Sequence, residues 1–213
     1  MELGEEKNIY YFNEEGQKNT NKVLELVLKK AQELTINKII IFTSNGDTAF
    51  ELRKLNEEIE IIAVSFPYKQ EFNVKDKNGE NKKVIPETSK RKVRKKLFDN
   101  NIELVQGTMP FNEIIIPGTK EIKKSTIVHT LSLISRGLSF CVQSVLMATD
   151  AGVVEKGEDV IAMSADTAVV VNSANSQWLF HPVKGLQIKE IICKAHKISP
   201  EKISPENKKE QGE

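Results

Sequence analysis

The chain has 213 residues, of which 39% are apolar and 29% charged, and its formal net charge is +1. These values predict an ordinary globular protein with one domain of the larger single-core size. They exclude a spanning membrane protein, because no apolar run approaches the roughly 18 residues that a membrane helix needs. The N-terminus MELGEEKNIYYF is acidic where a secretory signal would be basic. We therefore expect a cytoplasmic protein with no membrane partner.

The first third of the chain alternates between strand and helix patterns. KNIYYF predicts a short strand, and the 3-4 spacing of apolar residues in NTNKVLELVLKKAQEL predicts a helix that Asn19 or Thr20 can cap. INKIIIFTS is typical of a strand buried on both faces, DTAFELRKLNEE predicts the next helix, and EIEIIAVSF a third strand. Two βαβ units of this kind predict an α/β fold with a mainly parallel sheet and helices on its faces.

The alternation of strand and helix patterns ends after Pro67. Asn78-Gly79 between two alternating runs predicts a polar β-hairpin, and Pro86-Glu87 opens a basic helix, ETSKRKVRKKLFDNN, before a fourth strand at IELVQ. STIVHTLSLIS and FCVQSVLMATDAG predict two more helices, and EDVIAMSA, TAVVVNSA and LQIKEIICKA predict the last strands. The polar end of the chain predicts disorder. The expected organisation is one ligand-binding domain over residues 1–196 and a disordered tail over 197–213.

One segment is strongly basic. Tyr68 to Lys96 contains eleven Lys or Arg and four Asp or Glu, whereas the rest of the chain is net acidic. Such a segment is either a solvated surface or a cationic flap beside a ligand site, and a third reading is an interaction module for nucleic acid. The near-neutral total charge and the few aromatics in the segment or next to it, Tyr68, Phe72 and Phe98, argue against a nucleic-acid partner.

The turn between the second strand and the second helix is the strongest candidate site. Ligands of open α/β sheets bind at the carboxyl ends of the strands, where helix N-termini offer unpaired N–H groups to a phosphate. Asp47 supports the alternative of a plain helix cap, because it would satisfy the same N–H groups and repel an anion. Further polar residues follow the first and the third strand, and we expect them at the same edge of the sheet. The candidate residues are Thr43, Ser44, Asn45, Gly46, Asp47 and Thr48 in the turn, with Asn13, Asn19, Thr20 and Ser65 beside it.

No catalytic or metal-binding pattern stands out. The three histidines, His129, His181 and His196, lack the spacing of a nucleophile pair or a metal site. Cys141 and Cys193 lie in apolar segments without CxxC spacing, which predicts reduced thiols in the core. The catalytic residues are therefore unknown and no metal ligand is predicted.

The Asp-Thr-Ala run of the candidate turn occurs twice in the sequence. Asp166-Thr167 echoes Asp47-Thr48, each followed by alanine, which suggests that two similar turns face one site. An enzyme that uses Asp47 or Asp166 remains an alternative to a binding protein.

Five segments in order, YYFNEEGQKNT, TSNGDTA, CVQSVLMATDAG, DTAVVV and IKEIIC, resemble the stand-alone proteins related to the C-terminal α/β domain of pyruvate kinase. The resemblance implies a three-layer α/β/α fold without the catalytic barrel, and hence no pyruvate kinase activity. It also implies a phosphorylated small molecule as ligand, with flavin mononucleotide (FMN) as the best candidate. By position, the residues from Thr43 to Thr48 would hold the phosphate. The pocket would be lined by Asn13, Asn19, Thr20, Asp166 and Thr167.

The chain departs from the family pattern at two places. Pyruvate kinases often have a basic residue in the turn where this chain has Asp47, which favours a single phosphate over a sugar bisphosphate. The approach to Asp166 is short and has no glycine after Gly157. The sequence leaves open the ligand's identity and whether the chain forms a homo-oligomer.

Overall fold

The structure is a computed structural model that describes residues 3–75, 79–111 and 122–197. Asn78 of the predicted hairpin turn and almost all of the predicted disordered tail lie outside these residues. No helix within the described part of the chain has the length and apolar character needed to cross a membrane. The cytoplasmic location stays a prediction.

Seven strands form one central sheet, and two form a separate hairpin. The strands are β1 (Tyr10–Phe12), β2 (Lys38–Phe42), β3 (Glu60–Ser65), β4 (Phe72–Lys75), β5 (Asn81–Val84), β6 (Ile102–Gln106), β7 (Asp159–Met163), β8 (Ala168–Asn172) and β9 (Gln187–Ala195). The sheet order is β1-β9-β8-β7-β2-β3-β6. Only β8 runs antiparallel to its two neighbours, and all other pairings in this sheet are parallel. The predicted mainly parallel sheet is confirmed.

Helices cover both faces of the sheet. They are α1 (Thr20–Leu34), α2 (Asp47–Leu55), α3 (Arg91–Asp99), α4 (Ile122–Ser132) and α5 (Arg136–Asp150). Side chains of β2 alternate between two cores, since Ile39 and Ile41 pack with α1, α2 and α3, whereas Ile40 packs with α4 and α5. This alternation produces the three-layer α/β/α arrangement.

The two strands of the first βαβ unit are separated in the sheet, because β7, β8 and β9 lie between β1 and β2. Two local predictions need correction. Asn19 occupies the cap position of α1, but its side-chain amide donates to the carbonyl of Glu14 instead of capping the helix. The basic helix begins at Arg91, because a 3₁₀ turn at Glu87–Ser89 follows Pro86 and Lys90 is extended.

The basic segment forms a hairpin and a helix beside the main sheet. β4 and β5 pair antiparallel, as predicted. Leu97 of α3 is fully buried in the core that also contains residues of α1 and α2, while the basic residues of α3 are largely exposed. The helix α3 therefore presents a solvated basic surface, which is the first of the alternatives that the sequence left open.

A nearly buried ion cluster joins α1 and the N-terminal segment to β9. The carboxylate oxygens of Glu190 lie 2.6 Å from Lys30 Nζ and 3.0 Å from Lys7 Nζ. The Glu190 side chain is 7% exposed. Burial is the largest single influence on the pKa of Glu190 and raises it, but the hydrogen bonds and charges of Lys30 and Lys7 together lower that pKa below its ordinary value. The ionised carboxylate is thus favoured in the folded state.

Both cysteines are free and buried, which confirms the prediction of reduced core thiols. Burial raises the pKa of Cys193 to about 12 and raises the pKa of Cys141 further. Neither thiol has the thiolate character of a nucleophile.

Candidate functional site

A cleft of about 540 Å³ lies at the carboxyl ends of the parallel strands β2, β3 and β7. Its walls come from the β1–α1 segment, the turn after β2, the loop after β7 and the beginning of α5. Three helices, α1, α2 and α5, begin at its border. The lining residues are Glu15, Gly16, Gln17, Thr20, Asn21, Phe42, Thr43, Ser44, Asn45, Asp47, Thr48, Glu51, Phe66, Arg136, Gly137, Phe140, Ser164, Ala165 and Asp166.

The turn from Thr43 to Thr48 is held by its own side chains. The Gly46 N–H donates to Thr43 Oγ1 at 2.9 Å, and the Asp47 N–H donates to Asn45 Oδ1 at 3.1 Å. Asn45 Nδ2 returns a hydrogen bond of 2.6 Å to Asp47 Oδ2. The turn therefore satisfies two backbone donors internally, but through Thr43 and Asn45, and the cap expected from Asp47 is not formed. The Thr48 N–H, by contrast, has no partner among the described residues.

Gly46 is required by the shape of this turn. Its φ of +86° lies in the left-handed region, and a Cβ there would be 3.3 Å from a ring carbon of Phe50. Gly46 is buried against α2 and α3, so it shapes the turn without lining the cleft.

Asp166 connects the two loops on the opposite side of the cleft. Its Oδ2 accepts the Gly16 N–H at 2.8 Å, and its Oδ1 accepts the hydroxyl of Thr167 at 3.0 Å. The side chain is nearly buried, and Thr20 Oγ1 adds a long contact of 3.4 Å to the Ala165 carbonyl. The carboxylate thus fixes the β1–α1 segment to the loop after β7.

The beginning of α5 packs against that same loop. A Cβ at Gly137 would lie 2.4 Å from both Ser164 Oγ and Thr167 Oγ1, so only glycine allows this approach. The hydroxyl of Ser135 shares a hydrogen bond with Thr167 Oγ1. α5 can therefore bring the side chain of Arg136 to the cleft, where Nη1 lies 3.6 Å from Glu15 Oε2.

Three phenylalanines form an apolar wall of the cleft. The rings of Phe42 and Phe140 stack with centroids 4.6 Å apart, and Phe66 meets Phe42 edge to face at 5.0 Å. Phe72 of the hairpin packs on the outer side of Phe66 at 4.7 Å. The cleft therefore combines an aromatic surface with a polar turn.

Seven of the twelve predicted site residues line this cleft. They are Thr20, Thr43, Ser44, Asn45, Asp47, Thr48 and Asp166. Asp166 lies at the same cleft as Asp47 and Thr48, although it is more than a hundred positions later in the chain. The repeated Asp-Thr-Ala pattern suggests this arrangement.

The other five predicted residues have different surroundings. Ser65 is fully buried and shares a 2.7 Å hydrogen bond with Thr88 Oγ1, which ties β3 to the segment before α3. Thr167 is buried against Ser135, and Asn19 bonds Glu14. Asn13 is exposed directly after β1, and Gly46 faces the core. These residues support the cleft or lie beside it rather than forming its surface.

Sequence reasoning missed the aromatic wall and the α5 contribution. Phe42 and Phe140 belong to apolar runs that predict core positions, and Phe66 ends a strand. Arg136 and Glu15 carry no local signal, because their pairing joins segments 121 positions apart. Charge complementarity between two loops at the same sheet edge was the available clue.

The remaining candidates lie away from the cleft. No residue of the segment from Tyr68 to Lys96 lines it, so a cationic flap at the site finds no support in the described residues. His181 Nδ1 accepts hydrogen bonds from the N–H groups of Val183 and Lys184. The His196 N–H donates to the Phe12 carbonyl, which continues the pairing of β1 with β9 beyond the end of β9. Within the ranges that the structure describes, no three acidic, histidine or cysteine side chains form a metal-binding group.

Comparison with known protein families supports the resemblance seen in the sequence. The family model described as the pyruvate kinase alpha/beta domain matches residues 21–177. The match includes the turn after β2, the whole of α5 and the loop after β7, which together form most of the cleft. The chain therefore belongs to the pyruvate kinase alpha/beta domain family.

Proposed function

We propose that the cleft binds a phosphorylated small molecule that also carries an aromatic ring, and that FMN is the best candidate. The observation that carries the proposal is the junction of the Thr43–Thr48 turn with the phenylalanine wall in one cleft of about 540 Å³. Pockets of a few hundred to about 1,000 Å³ hold ligands of this size, with apolar walls and a few placed polar groups.

The polar side of the cleft suits a phosphate. Ser44 and Thr48 contribute hydroxyls at the lining, and the Thr48 N–H belongs to the first turn of α2, where the helix dipole favours negative charge. Thr43 and Asn45 already hold the turn in shape, so binding requires little ordering of the backbone.

The apolar side suits an aromatic ring. Phe42, Phe66 and Phe140 present stacked and edge-on rings at the lining. Aromatic contacts of this geometry contribute about 0.5–1.5 kcal/mol beyond the burial of area. A sugar phosphate without a ring would leave this wall unused.

The charges of the cleft limit how much negative charge the ligand can carry. Glu15, Asp47, Glu51 and Asp166 line it with carboxylates, against the guanidinium of Arg136. Two unit charges 4 Å apart repel by about 1 kcal/mol in water and more near a protein surface. A monophosphate therefore fits this cleft better than a bisphosphate.

The test begins with the purified protein. A bound flavin would be seen in the visible spectrum and identified by mass after denaturation. Added FMN at 100 times its dissociation constant should stabilise the fold by about 2.7 kcal/mol, a rise of roughly 5–10 °C in melting temperature. A colourless protein whose melting temperature does not change with FMN would refute the flavin assignment.

We also propose that the chain lacks pyruvate kinase activity. The supporting observation is that the family match concerns the alpha/beta domain. A standard assay for phosphoryl transfer from phosphoenolpyruvate to ADP should give no turnover above background.

A further inference from the structure

We propose that Thr88, a buried residue outside the cleft, is the positioning residue of the Thr43–Thr48 turn, and that it directs the Asn45 N–H towards the ligand's phosphate. The inference rests on the proposed function and names a residue that sets the phosphate affinity of the same cleft. It is carried by the hydrogen bond from Thr88 to Ser44 and by the buried hydroxyl that fixes Thr88 in place.

A backbone hydrogen bond joins the candidate turn to the segment before α3. The Thr88 N–H donates to the Ser44 carbonyl at 3.1 Å. This N–H is available because the 3₁₀ turn at Glu87–Ser89 is closed by the later N–H groups of Ser89 and Lys90. Thr88 therefore holds the first half of the candidate turn from its buried side.

The bond to Thr88 fixes the direction of the peptide unit between Ser44 and Asn45. In a planar trans peptide the carbonyl and the N–H point to opposite sides. Because the Ser44 carbonyl points to buried Thr88, the Asn45 N–H points away from it. Neither the Asn45 N–H nor the Ser44 hydroxyl has a partner among the described residues, and both residues line the cleft. This peptide unit thus offers two donors to a phosphate.

Thr88 is itself held by a polar network at the ends of β3 and β6. It is fully buried, and its Oγ1 lies 2.7 Å from Ser65 Oγ. Gln106 Nε2 adds long contacts of 3.4 Å to Thr88 Oγ1 and to Ser89 Oγ. Ser65 ends β3 and Gln106 ends β6, and the two strands pair at these residues. The central sheet therefore fixes Thr88, and Thr88 fixes the turn.

A hydroxyl suits this position better than a methyl group because a hydrogen bond is directional. The hydrophobic effect is not directional, so a valine at position 88 would fill the same volume without orienting the segment. Thr88→Val would also leave the buried Ser65 hydroxyl without its partner at 2.7 Å. The segment before α3 would have to move to satisfy that hydroxyl, and the bond to Ser44 would weaken.

The binding test uses the full chain and compares FMN with riboflavin, which has the same ring system and no phosphate. Dissociation constants are measured by quenching of flavin fluorescence for the wild type, Thr88→Val, Thr88→Ser and Ser65→Ala. Thr149→Val is the matched control. Thr149 is also a buried threonine, its Oγ1 donates to the Val145 carbonyl at 2.8 Å, and it does not line the cleft.

Thr88→Val should weaken FMN binding by about fivefold, since donors to the phosphate are displaced. Ser65→Ala should weaken it in the same direction, and serves if Thr88→Val does not fold. Thr88→Ser keeps the hydroxyl and should bind FMN within about twofold of the wild type. Riboflavin has no phosphate, so its affinity should change by less than about twofold in every variant. Thr149→Val should match the wild type for both ligands.

A second measurement tests the link between Thr88 and the turn without any ligand. Amide hydrogen exchange reports local opening of the backbone. Thr88→Val should speed exchange at Gly46 and Asp47, whose N–H groups are bonded inside the turn. Thr149→Val should leave the exchange of these amides unchanged.

Three results would overturn the inference while leaving the proposed function intact. The first is FMN affinity that is unchanged in Thr88→Val, and the second is unchanged exchange of the turn in that variant. The third is an equal loss of affinity for FMN and riboflavin, which is the result expected if Thr88 only supports the fold. A wild-type protein that binds neither flavin would refute the proposed function and the phosphate contact with it, and the exchange measurement would separately decide whether Thr88 holds the turn.

Discussion

Replacing Gly137 with alanine should destabilise the protein, although alanine is ordinarily the better helix residue. The new Cβ would lie 2.4 Å from Ser164 Oγ and from Thr167 Oγ1, and 2.7 Å from Thr167 Cβ. Carbon atoms pack at about 3.5–4.0 Å, so α5 and the loop after β7 would have to separate by roughly 1 Å. Such overpacking costs about 1–3 kcal/mol, and loss of the Ser135 to Thr167 hydrogen bond adds about 1 kcal/mol.

Alanine gains up to about 1 kcal/mol of helix propensity, so the net cost of Gly137→Ala is about 1–4 kcal/mol, which lowers the melting temperature by roughly 2–16 °C for a chain of this size. Thermal and urea unfolding monitored by circular dichroism would measure it. Gly107→Ala is the matched control, because a Cβ there meets Met147 Cε at 3.9 Å, an ordinary contact. A Gly137→Ala protein as stable as the wild type would refute the close approach of helix and loop.

Three further predictions concern charge and the aromatic wall. Asp47→Asn removes a carboxylate from the cleft and should tighten FMN about fivefold without changing riboflavin; weaker FMN binding would mean that the charge orders the turn. Phe140→Ala should weaken FMN and riboflavin equally, and an effect on FMN alone would contradict the ring assignment. Glu190→Gln should lower stability at pH 7. Because Lys30 and Lys7 lower the pKa of Glu190, its stabilisation is present above the ordinary pKa near 4.5 and is lost as pH falls through the lower folded value. Urea midpoints of the two proteins should converge in acid, and a gap that is constant with pH would exclude the carboxylate charge as its origin.

Hydrophobic periodicity was sufficient to predict the main helices and strands of the fold. The continuous apolar runs at Ile39–Ile41 and in Ala168–Asn172 both became strands of the central sheet. Their order could not be read from the same pattern, because the sequence period reports which face a residue occupies and not which strand lies beside it. The insertion of β7, β8 and β9 between β1 and β2 depends on packing across the whole sheet.

The candidate site was predictable to the level of loops. The carboxyl ends of β1, β2, β3 and β7 were expected at one edge, and the turn at Thr43–Thr48 is at the cleft. The direction of single side chains at strand ends was not predictable, because alternation is lost where the ladder stops. Ser65 is consequently buried against Thr88, and its neighbour Phe66 forms the wall.

The pairing of β1 has a consequence for how the protein is made. β1 is a three-residue edge strand whose partner is β9, with Tyr10 beside Cys193 and the His196 N–H bonded to the Phe12 carbonyl. The segment that carries Glu15 and Gly16 follows directly from β1. A ribosome must therefore synthesise nearly the whole domain before this wall of the cleft can be fixed, and contacts of such sequence separation form slowly. Ligand binding during synthesis should begin only after β9 has emerged.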